Sequence, residues 1–218
     1  LPASFELAVM AGIIAICLGV PLGVLASQSQ HKLTQNTIMA ITLTGYSVPV
    51  FWLGLYLSLW FGVDLGWLPI SGQINLLYEI KPVTGFMLVD TLLSESEYGM
   101  SAFKDALLHI ILPATTLAVL PFTVVVRSTR SAMVNVMNQT FIRAAEARGM
   151  HTGTIILRHA LPNALIPVVT MLGLQFTFLI AGAVLVENVF NLPGVGRLAF
   201  QALAQRDVVV MQDVVLFF

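Results

Sequence analysis

The chain has 218 residues, of which 57% are hydrophobic and only 10% are charged. About a quarter of the residues in a soluble globular domain are charged, so this composition excludes that class and indicates an integral membrane protein. The formal net charge of −1 conceals a strong separation of acidic and basic residues along the chain. The single cysteine, Cys17, excludes a disulfide or a thiolate cluster built from this chain alone.

Four apolar runs follow one another, and each is long enough to cross a bilayer. None contains Asp, Glu, Lys or Arg, and each reaches the ~20 residues that a spanning helix needs. The runs lack the alternation of barrel strands, and a helix satisfies its own backbone hydrogen bonds in lipid. The sequence therefore predicts an all-α fold, a polytopic bundle of membrane helices. The runs are residues 7–26, 38–63, 106–126 and 164–186.

Some residues interrupt the apolar pattern inside the runs. Proline kinks a helix and glycine lets helices approach closely, so Gly19, Gly23 and Pro49 mark places of bending or tight packing. Polar side chains in a membrane helix line a cavity or hydrogen-bond to a neighbouring helix. Both readings stay open for the candidate translocation-path residues, which are Tyr46, Ser47, Pro49, Gln175 and Thr177.

The charges of the connecting segments predict their side of the membrane. Residues 127–163 carry five arginines and one glutamate, whereas residues 64–105 carry six acidic residues and two lysines. Basic loops stay in the cytoplasm, so we expect a cytoplasmic loop at 127–163 and an external loop at 64–105. The short loop at His31 and Lys32 then lies inside, and residues 187–207 lie outside.

Residues 141–162, FIRAAEARGMHTGTIILRHALP, form the longest polar and basic stretch. It predicts two short helices, with Gly149 as the C-terminal cap of the first and Thr152 as the N-terminal cap of the second. Phe141, Ala144, Ala145 and Arg148 are expected to share one face. By composition alone, these arginines could serve only to fix the orientation of the chain.

The spacing here resembles the EAA loop of ATP-binding-cassette (ABC) importer permeases, in which E-A-A, three residues, G and nine residues precede I-x-L-P. Arg143-Ala144-Ala145, Gly149 and His159-Ala160-Leu161-Pro162 keep that spacing. Arg143 replaces the acid and His159 the isoleucine, and R-H-A-L-P-N-A-L looks like the peptide and nickel branch of the family. The resemblance implies a type I importer (MetI-like) fold and a coupling helix that docks on a separate ATPase. The implied coupling residues are Arg143, Ala144, Ala145, Glu146, Arg148, Gly149, His159, Leu161 and Pro162.

A second motif follows the fourth run, where residues 187–197 read ENVFNLPGVGR. It lacks the G-x-x-x-x-G-K-[ST] pattern of a phosphate-binding loop. It resembles the E-x-V-F-x-x-P-G-x-G-R stretch of the peptide permeases, where it serves as an external gate or a structural turn. Both roles stay open for its residues, which are Glu187, Pro193, Gly194, Gly196 and Arg197.

The ends of the chain lead to a further expectation. The orientation above places Leu1 outside, and the last apolar run, residues 208–218, is shorter than a spanning helix. We therefore expect residues 1–218 to be one permease domain that lacks an upstream first helix and most of its last helix, with about six spans in the complete subunit.

The family resemblance implies a function and a set of partners. The chain is similar to the permease subunits of ATP-driven ABC transporters that move peptides or similar small cationic solutes across the bacterial inner membrane. Its residues 66–90 look most like the Sap-type permeases. Two ATPase subunits would bind ATP and Mg²⁺, and a second homologous permease, a periplasmic binding protein and membrane lipid would be partners, without nucleic acid.

Other readings differ in substrate or in energy source. The same type of permease could carry putrescine or nickel. An ATPase-independent carrier is disfavoured because the four runs lack the ionisable residues that ion coupling usually employs. A scaffold that only recruits an ATPase would bind without transport. The chain contains no zinc motif, serine elbow or Walker A sequence, so we expect a non-catalytic subunit without a cofactor or metal of its own.

Overall fold

The computed structural model describes residues 1–29, 31–94 and 99–217. Regular structure within these ranges is helical, with no strand, which confirms the predicted all-α class. Two segments, Ser58–Asp64 and Ile155–Ala160, are π-helical. The α-helices are α1 (Pro2–Gln28), α2 (Lys32–Ser47), α3 (Val50–Leu57), α4 (Met87–Leu93), α5 (Gly99–Met137), α6 (Thr140–Ala147), α7 (Thr152–Thr154), α8 (Leu161–Val189), α9 (Val195–Gln205) and α10 (Val208–Phe217).

Three helical stretches are long and apolar enough to cross a membrane. They are Pro2–Gln28, Gly99–Met137 and Thr152–Val189, and they contain the first, third and fourth predicted runs. The second predicted run is a broken pair, which supplies a fourth span if the pair counts as one.

Pro49 accounts for the break in the second run. It is the N-cap residue of α3 and has an extended backbone, with φ −60° and ψ 130°. A proline has no N–H to donate, and it disfavours the helical conformation of the preceding residue, here Val48. Residues 38–63 are therefore two helices rather than the single run that hydropathy predicts.

Contacts divide the chain into two compact units. The first comprises Leu1–Ala11, Val48–Leu117 and Phe178–Phe218, and the second comprises Gly12–Ser47 and Ala118–Thr177. The predicted cytoplasmic loop falls in the second unit and the predicted external loop in the first. Glu95 and Glu97 of that external loop lie outside the described residues. That residues 1–218 form one permease domain stays a prediction.

Two buried carboxylates organise the external loop within the first unit. Glu6 of α1 accepts hydrogen bonds from the N–H groups of Met87 (3.1 Å) and Leu88 (2.7 Å), the first residues of α4. Asp90 of α4 accepts from the N–H and O–H of Thr84, at 2.7 and 2.6 Å, and from the N–H of Gly85 at 2.9 Å. These bonds satisfy polar groups that burial removes from water.

The charge of Asp90 is favoured by its surroundings. Burial opposes ionisation, but the hydrogen bonds from Thr84, together with those from Gly85 and Val83, outweigh it and hold the pKa of Asp90 below its ordinary value. Asp90 is therefore a carboxylate at neutral pH, and it closes the turn that leads into α4.

Close packing of α1 on α5 shapes the second unit. A Cβ atom on Gly19 would lie 2.8 Å from Cγ1 of Val125, and one on Gly23 would lie 2.6 Å from Cβ of Thr129. Both pairs are four residues apart, so one face of α1 meets one face of α5. This confirms tight packing at the two glycines, because a larger residue would push the helices apart.

Candidate coupling surface

The helix α6 is anchored by its apolar side. Ile142 is fully buried and Ala145 is only 7% exposed, and both belong to the main buried cluster of the second unit. The other members come from the end of α5, the π-helical segment and the start of α8. The helix therefore rests on three elements of its own unit. The cluster consists of Ala132, Met133, Val136, Ile142, Ala145, Ile155, Ala160 and Ala164.

A Schellman motif ends α6. Gly149 has a left-handed backbone, with φ +74°. Its N–H donates to the carbonyl oxygen of Glu146 at 2.9 Å, and the N–H of Met150 donates to that of Ala145 at 3.3 Å. This is the paired bonding pattern of the motif, and Met150 packs on the same cluster as Ala145. The prediction of Gly149 as a C-terminal cap is confirmed.

The next helix starts one residue earlier than predicted. His151 has the extended backbone of an N-cap residue, and its Nδ1 accepts a hydrogen bond from the N–H of Gly153 at 3.2 Å. Thr152 is already the first residue of α7, so its prediction as the cap was wrong. An N-cap side chain must reach the N–H two or three residues on, and the imidazole of His151 does so.

The second predicted short helix is instead the start of a long one. α7, the π-helical segment and α8 form one helical stretch, Thr152–Val189. The π-helical geometry lets the N–H of Leu161 donate to the carbonyl of Ile156, five residues back. The wider turn stands directly before Pro162, which cannot donate and would crowd the carbonyl of an ideal helix.

The exposed side chains of α6 that follow Thr140, together with that of the C-cap residue Arg148, form a patch, which we call the coupling surface. It consists of Phe141, Arg143, Ala144, Glu146, Ala147 and Arg148. Among the described residues, neither arginine of this patch forms an ion pair, so both are free to meet carboxylates of a partner. The expected shared face holds for Phe141, Ala144 and Arg148, but Ala145 points into the cluster because it lies three residues from Ile142 on the inner face.

The other predicted coupling residues are spread along the chain after α6. Gly149 is exposed at the turn, His159 and Leu161 are half-buried, and Pro162 is exposed at the start of α8. These residues and the coupling surface belong to one unit. Contact of this region with an ATPase stays a prediction.

The motif at residues 187–197 forms a closed turn in the first unit. Glu187 is 1% exposed, and its Oε2 accepts from the N–H groups of Gly196 at 2.8 Å and Arg197 at 3.3 Å. The N–H of Val195 donates to Oγ of Ser4 at 3.0 Å. The first three N–H groups of α9 therefore all have acceptors, and the carboxylate also meets the positive end of the helix dipole.

The two glycines of this motif leave space for neighbouring groups. A Cβ on Gly194 would overlap the carboxylate of Glu187, and one on Gly196 would overlap Val184. Pro193 is exposed, and Arg197 donates from Nη1 to the carbonyl of Asn191 at 3.3 Å. This geometry favours the structural-turn reading, whereas the role of these residues as an external gate stays a prediction.

Two acids that accept hydrogen bonds from helix N-termini belong to long apolar helices. Glu6 and Glu187 lie just beyond the predicted runs, but α1 and α8 extend over them. The four predicted runs themselves contain no Asp, Glu, Lys or Arg, so these two acids do not contradict that premise. Both carboxylates accept hydrogen bonds from helix N-termini, so their positions are explained by capping. The signal in the sequence was a lone acid flanking an apolar run.

The candidate path residues lie at the surface of their own units. Tyr46 is 61% exposed, and Ser47, Pro49 and Thr177 are exposed, while Gln175 is half-buried. The hydroxyl of Ser47 donates to the carbonyl of Leu43 at 3.0 Å. A role in translocation stays a prediction for all five. In the described ranges, no three His, Cys, Asp or Glu side chains are grouped as a metal site requires.

The helices define a polytopic α-helical membrane protein, and one of its loops presents an anchored, exposed basic patch. A family model described as "Binding-protein-dependent transport system inner membrane component" matches residues 19–218, and the chain belongs to this family. The predicted resemblance to ABC permeases of the peptide branch is thereby confirmed.

Relatives and a solved structure agree with this assignment. The chain is 45% identical to the di/tripeptide transport system permease protein DppB of Pseudomonas aeruginosa, over 99% of the chain and 63% of that protein. It is also 45% identical to the putrescine export system permease protein SapB of Escherichia coli K12, over 94% of the chain and 64% of that protein. The chain thus spans less than two thirds of the length of these relatives.

A structure of the MetNI methionine ABC transporter in an inward-facing conformation matches the fold. The TM-score is 0.70 at 17% sequence identity, and the match covers 99% of this chain and 84% of that one. The predicted MetI-like fold class is confirmed. These DppB and SapB relatives are equally identical to the chain, so sequence identity does not distinguish the predicted Sap-type resemblance from a Dpp-type one.

Proposed function

We propose that the chain is the membrane-spanning part of an ATP-driven transporter that moves peptides across the bacterial inner membrane, and that α6 is its coupling helix. The observation that carries the proposal is the exposed basic face of α6 on a buried anchor, in the register of the EAA loop. Family membership and the relative named for di/tripeptide transport support the substrate class.

The packing of α6 provides a route for a mechanical signal. Ile142 and Ala145 contact a cluster that includes Met133 of α5 and Ala164 of α8. α5 and α8 lie in helical stretches long enough to span the membrane. A shift of α6, driven by closure of the ATPase on ATP, would therefore move two spanning helices and change access to the path.

The proposed assembly assigns the chemistry to other subunits. Two ABC ATPase subunits would bind and hydrolyse ATP with Mg²⁺, and this subunit would be non-catalytic. A second homologous permease would complete the path, and a periplasmic binding protein would deliver the substrate. The basic residues Arg143 and Arg148 on the coupling surface suit a groove lined with carboxylates on the ATPase.

The test of coupling is Ala144→Glu in the full-length subunit, co-expressed with the ATPase of its operon. Ala144 is exposed, so the variant should fold, but a glutamate would add bulk at a close contact and a negative charge opposite the carboxylates proposed for the ATPase. We expect recovery of the ATPase on co-purification to fall by roughly tenfold or more, and transport with it.

The matched control is Ala204→Glu, the same change at an exposed alanine of α9. It should retain both ATPase and transport. Equal recovery of the ATPase with both variants would show that α6 is not the docking element.

Putrescine is the second candidate substrate, because a relative of equal identity is named for its export. The full-length complex in proteoliposomes should move a labelled dipeptide with ATP, and neither putrescine nor Ni²⁺ at a comparable rate. Movement of putrescine without movement of the dipeptide would show that the substrate is a polyamine rather than a peptide. Transport that persists without ATP would instead favour an ion-driven carrier.

A further inference from the structure

A groove of about 610 Å³ lies between α2 and α5 within the second unit. Two hydrogen bonds join these helices beside the groove. Oγ1 of Thr123 donates to the carbonyl of Thr42 at 3.0 Å, and Nη2 of Arg130 donates to Oε1 of Gln35 at 3.3 Å. The groove thus lies between two helices that are joined by two hydrogen bonds. Its lining residues are Met39, Tyr46, Thr123, Val124, Arg127, Ser128, Arg130 and Ser131.

Two positively charged side chains line the groove, and no carboxylate is among its lining residues. In the described part of the chain, neither Arg127 nor Arg130 forms an ion pair, and the buried Nε of Arg130 has no hydrogen-bond partner. The second unit contains one carboxylate, Glu146, which lies on the coupling surface and does not line the groove. A buried guanidinium donor without an acceptor is costly, so an anion is the complementary ligand.

The charged side chains of the groove are grouped at one end of its α5 side. Arg127, Ser128, Arg130 and Ser131 follow directly after the apolar run that ends at residue 126. They therefore stand near the level where hydrocarbon gives way to lipid headgroups. Thr123 and Val124 precede them on α5, and the hydroxyl of Thr123 is already bonded to the carbonyl of Thr42. Met39 and Tyr46 complete the lining from α2. An anion that carries an apolar tail matches this arrangement better than a free ion does.

We propose that this groove binds the phosphate group of an anionic phospholipid, with Arg127 and Arg130 as its charged ligands and Ser128 and Ser131 as hydroxyl donors. The acyl chain lies along Val124 and Met39. The assignment rests on the groove alone and does not depend on the transported substrate. In this proposal the phospholipid is a specifically bound ligand and not merely part of the surrounding bilayer.

The experiment measures binding of labelled phosphatidylglycerol to the full-length subunit in a neutral detergent. A basic residue near an anionic headgroup contributes about 1 kcal/mol, so Arg127→Gln should weaken binding roughly fivefold and the Arg127→Gln, Arg130→Gln pair roughly thirtyfold. Arg127→Lys keeps the charge and should bind within about twofold of the unaltered protein. Because Arg127 is exposed, its variants are expected to fold.

The matched control is Arg158→Gln, which removes the same charge from an exposed residue of the same unit outside the groove. It should leave binding unchanged, and an equal loss would overturn the proposal in favour of a diffuse charge effect. Equal binding of zwitterionic phosphatidylcholine would overturn the anionic requirement. Displacement by millimolar inorganic phosphate would reveal a free-anion site, and displacement by a dipeptide would assign the groove to the substrate path; either result contradicts a lipid site.

Discussion

At the scale of single residues, the decisive side chains are those whose polar atoms are buried. Glu187 and Asp90 each accept hydrogen bonds from consecutive backbone N–H groups, which gives these donors acceptors away from bulk water. Gly149 acts through its backbone instead, because its positive φ costs an ordinary L-residue about 1–2 kcal/mol. These three residues set the positions of α9, α4 and the end of α6.

Asp90 leads to a prediction about pH. Its folded pKa is lower than its unfolded value, so its contribution to stability is present above about pH 4 and is lost as the pH falls through the folded pKa. Asp90→Asn should therefore reduce amide-exchange protection at Thr84 and Gly85 at neutral pH. The difference from the unaltered protein should vanish in strong acid.

Hydrogen exchange followed by mass spectrometry on the peptide around residue 84 measures this effect. Glu6 lies close enough to interact with Asp90. Because Asp90→Asn leaves Glu6 in place, a difference between the two proteins reports the effect of the Asp90 carboxyl group. A difference between the two proteins that grew as the pH fell would contradict the assigned direction of the pKa shift.

At the scale of helices, the pairing of α1 with α5 depends on small residues in contact. Gly19 and Gly23 lie against Val125 and Thr129, and the gap between the helices has no room for a further methyl group. Glycine is an unfavourable helix residue by about 1 kcal/mol relative to alanine, so close packing has to offset that cost. The pair α2 and α5 is the opposite case, because a groove of about 610 Å³ lined by larger side chains remains between these helices.

Gly23→Ala tests this pairing against Gly12→Ala in the same helix. A Cβ at Gly23 would meet Thr129 and the carbonyl of Val126, whereas one at Gly12 has nothing within 4 Å. We expect Gly23→Ala to destabilise the protein by about 1–3 kcal/mol through overpacking. Gly12→Ala should be neutral or slightly stabilising.

The measurement is the thermal unfolding midpoint of the purified full-length protein in one detergent. If both variants shifted the midpoint equally, the tight contact between α1 and α5 would not be the cause.

At the scale of the whole molecule, the proposed function assigns docking to the outer side of α6 and transmission to its inner side. The coupling surface faces outward, whereas Ile142 is buried against residues of α5 and α8. A lesion on the outer side should prevent binding of the ATPase. A lesion on the inner side should leave binding intact but weaken the mechanical link.

Ile142→Val and Ile142→Ala form a graded test of transmission. Burial predicts a loss of about 0.5–1.5 kcal/mol for valine and about 2–5 kcal/mol for alanine. We expect the ATPase to co-purify with both, while the substrate moved per ATP hydrolysed falls slightly for valine and several-fold for alanine. Transport and hydrolysis assays on the reconstituted full-length complex measure that ratio. A constant ratio across the series would show that the cluster does not carry the signal.

Much of the helical architecture and the register of the candidate site could be read from local patterns. Apolar runs reveal spanning helices because a backbone in lipid must form its hydrogen bonds internally. The end of α6 could be predicted because glycine, here Gly149, adopts the left-handed conformation of a helix C-terminus more readily than other residues. Hydropathy averages over a window, however, and so it drew one run across the bend that Pro49 correctly predicted, and it placed Glu6 and Glu187 outside the runs.

The amino-acid sequence by itself determined the membrane class, the family and the position of the candidate coupling helix α6, because these depend on composition and on fixed spacings along the chain. Only the tertiary structure decided that Ala145 faces inward, that Glu187 caps α9 and that two arginines share a groove. The physical reason is the range of the interactions involved. Contacts such as that of Ser4 with Val195, which joins residues 191 positions apart, arise from packing and have no local signal in the sequence.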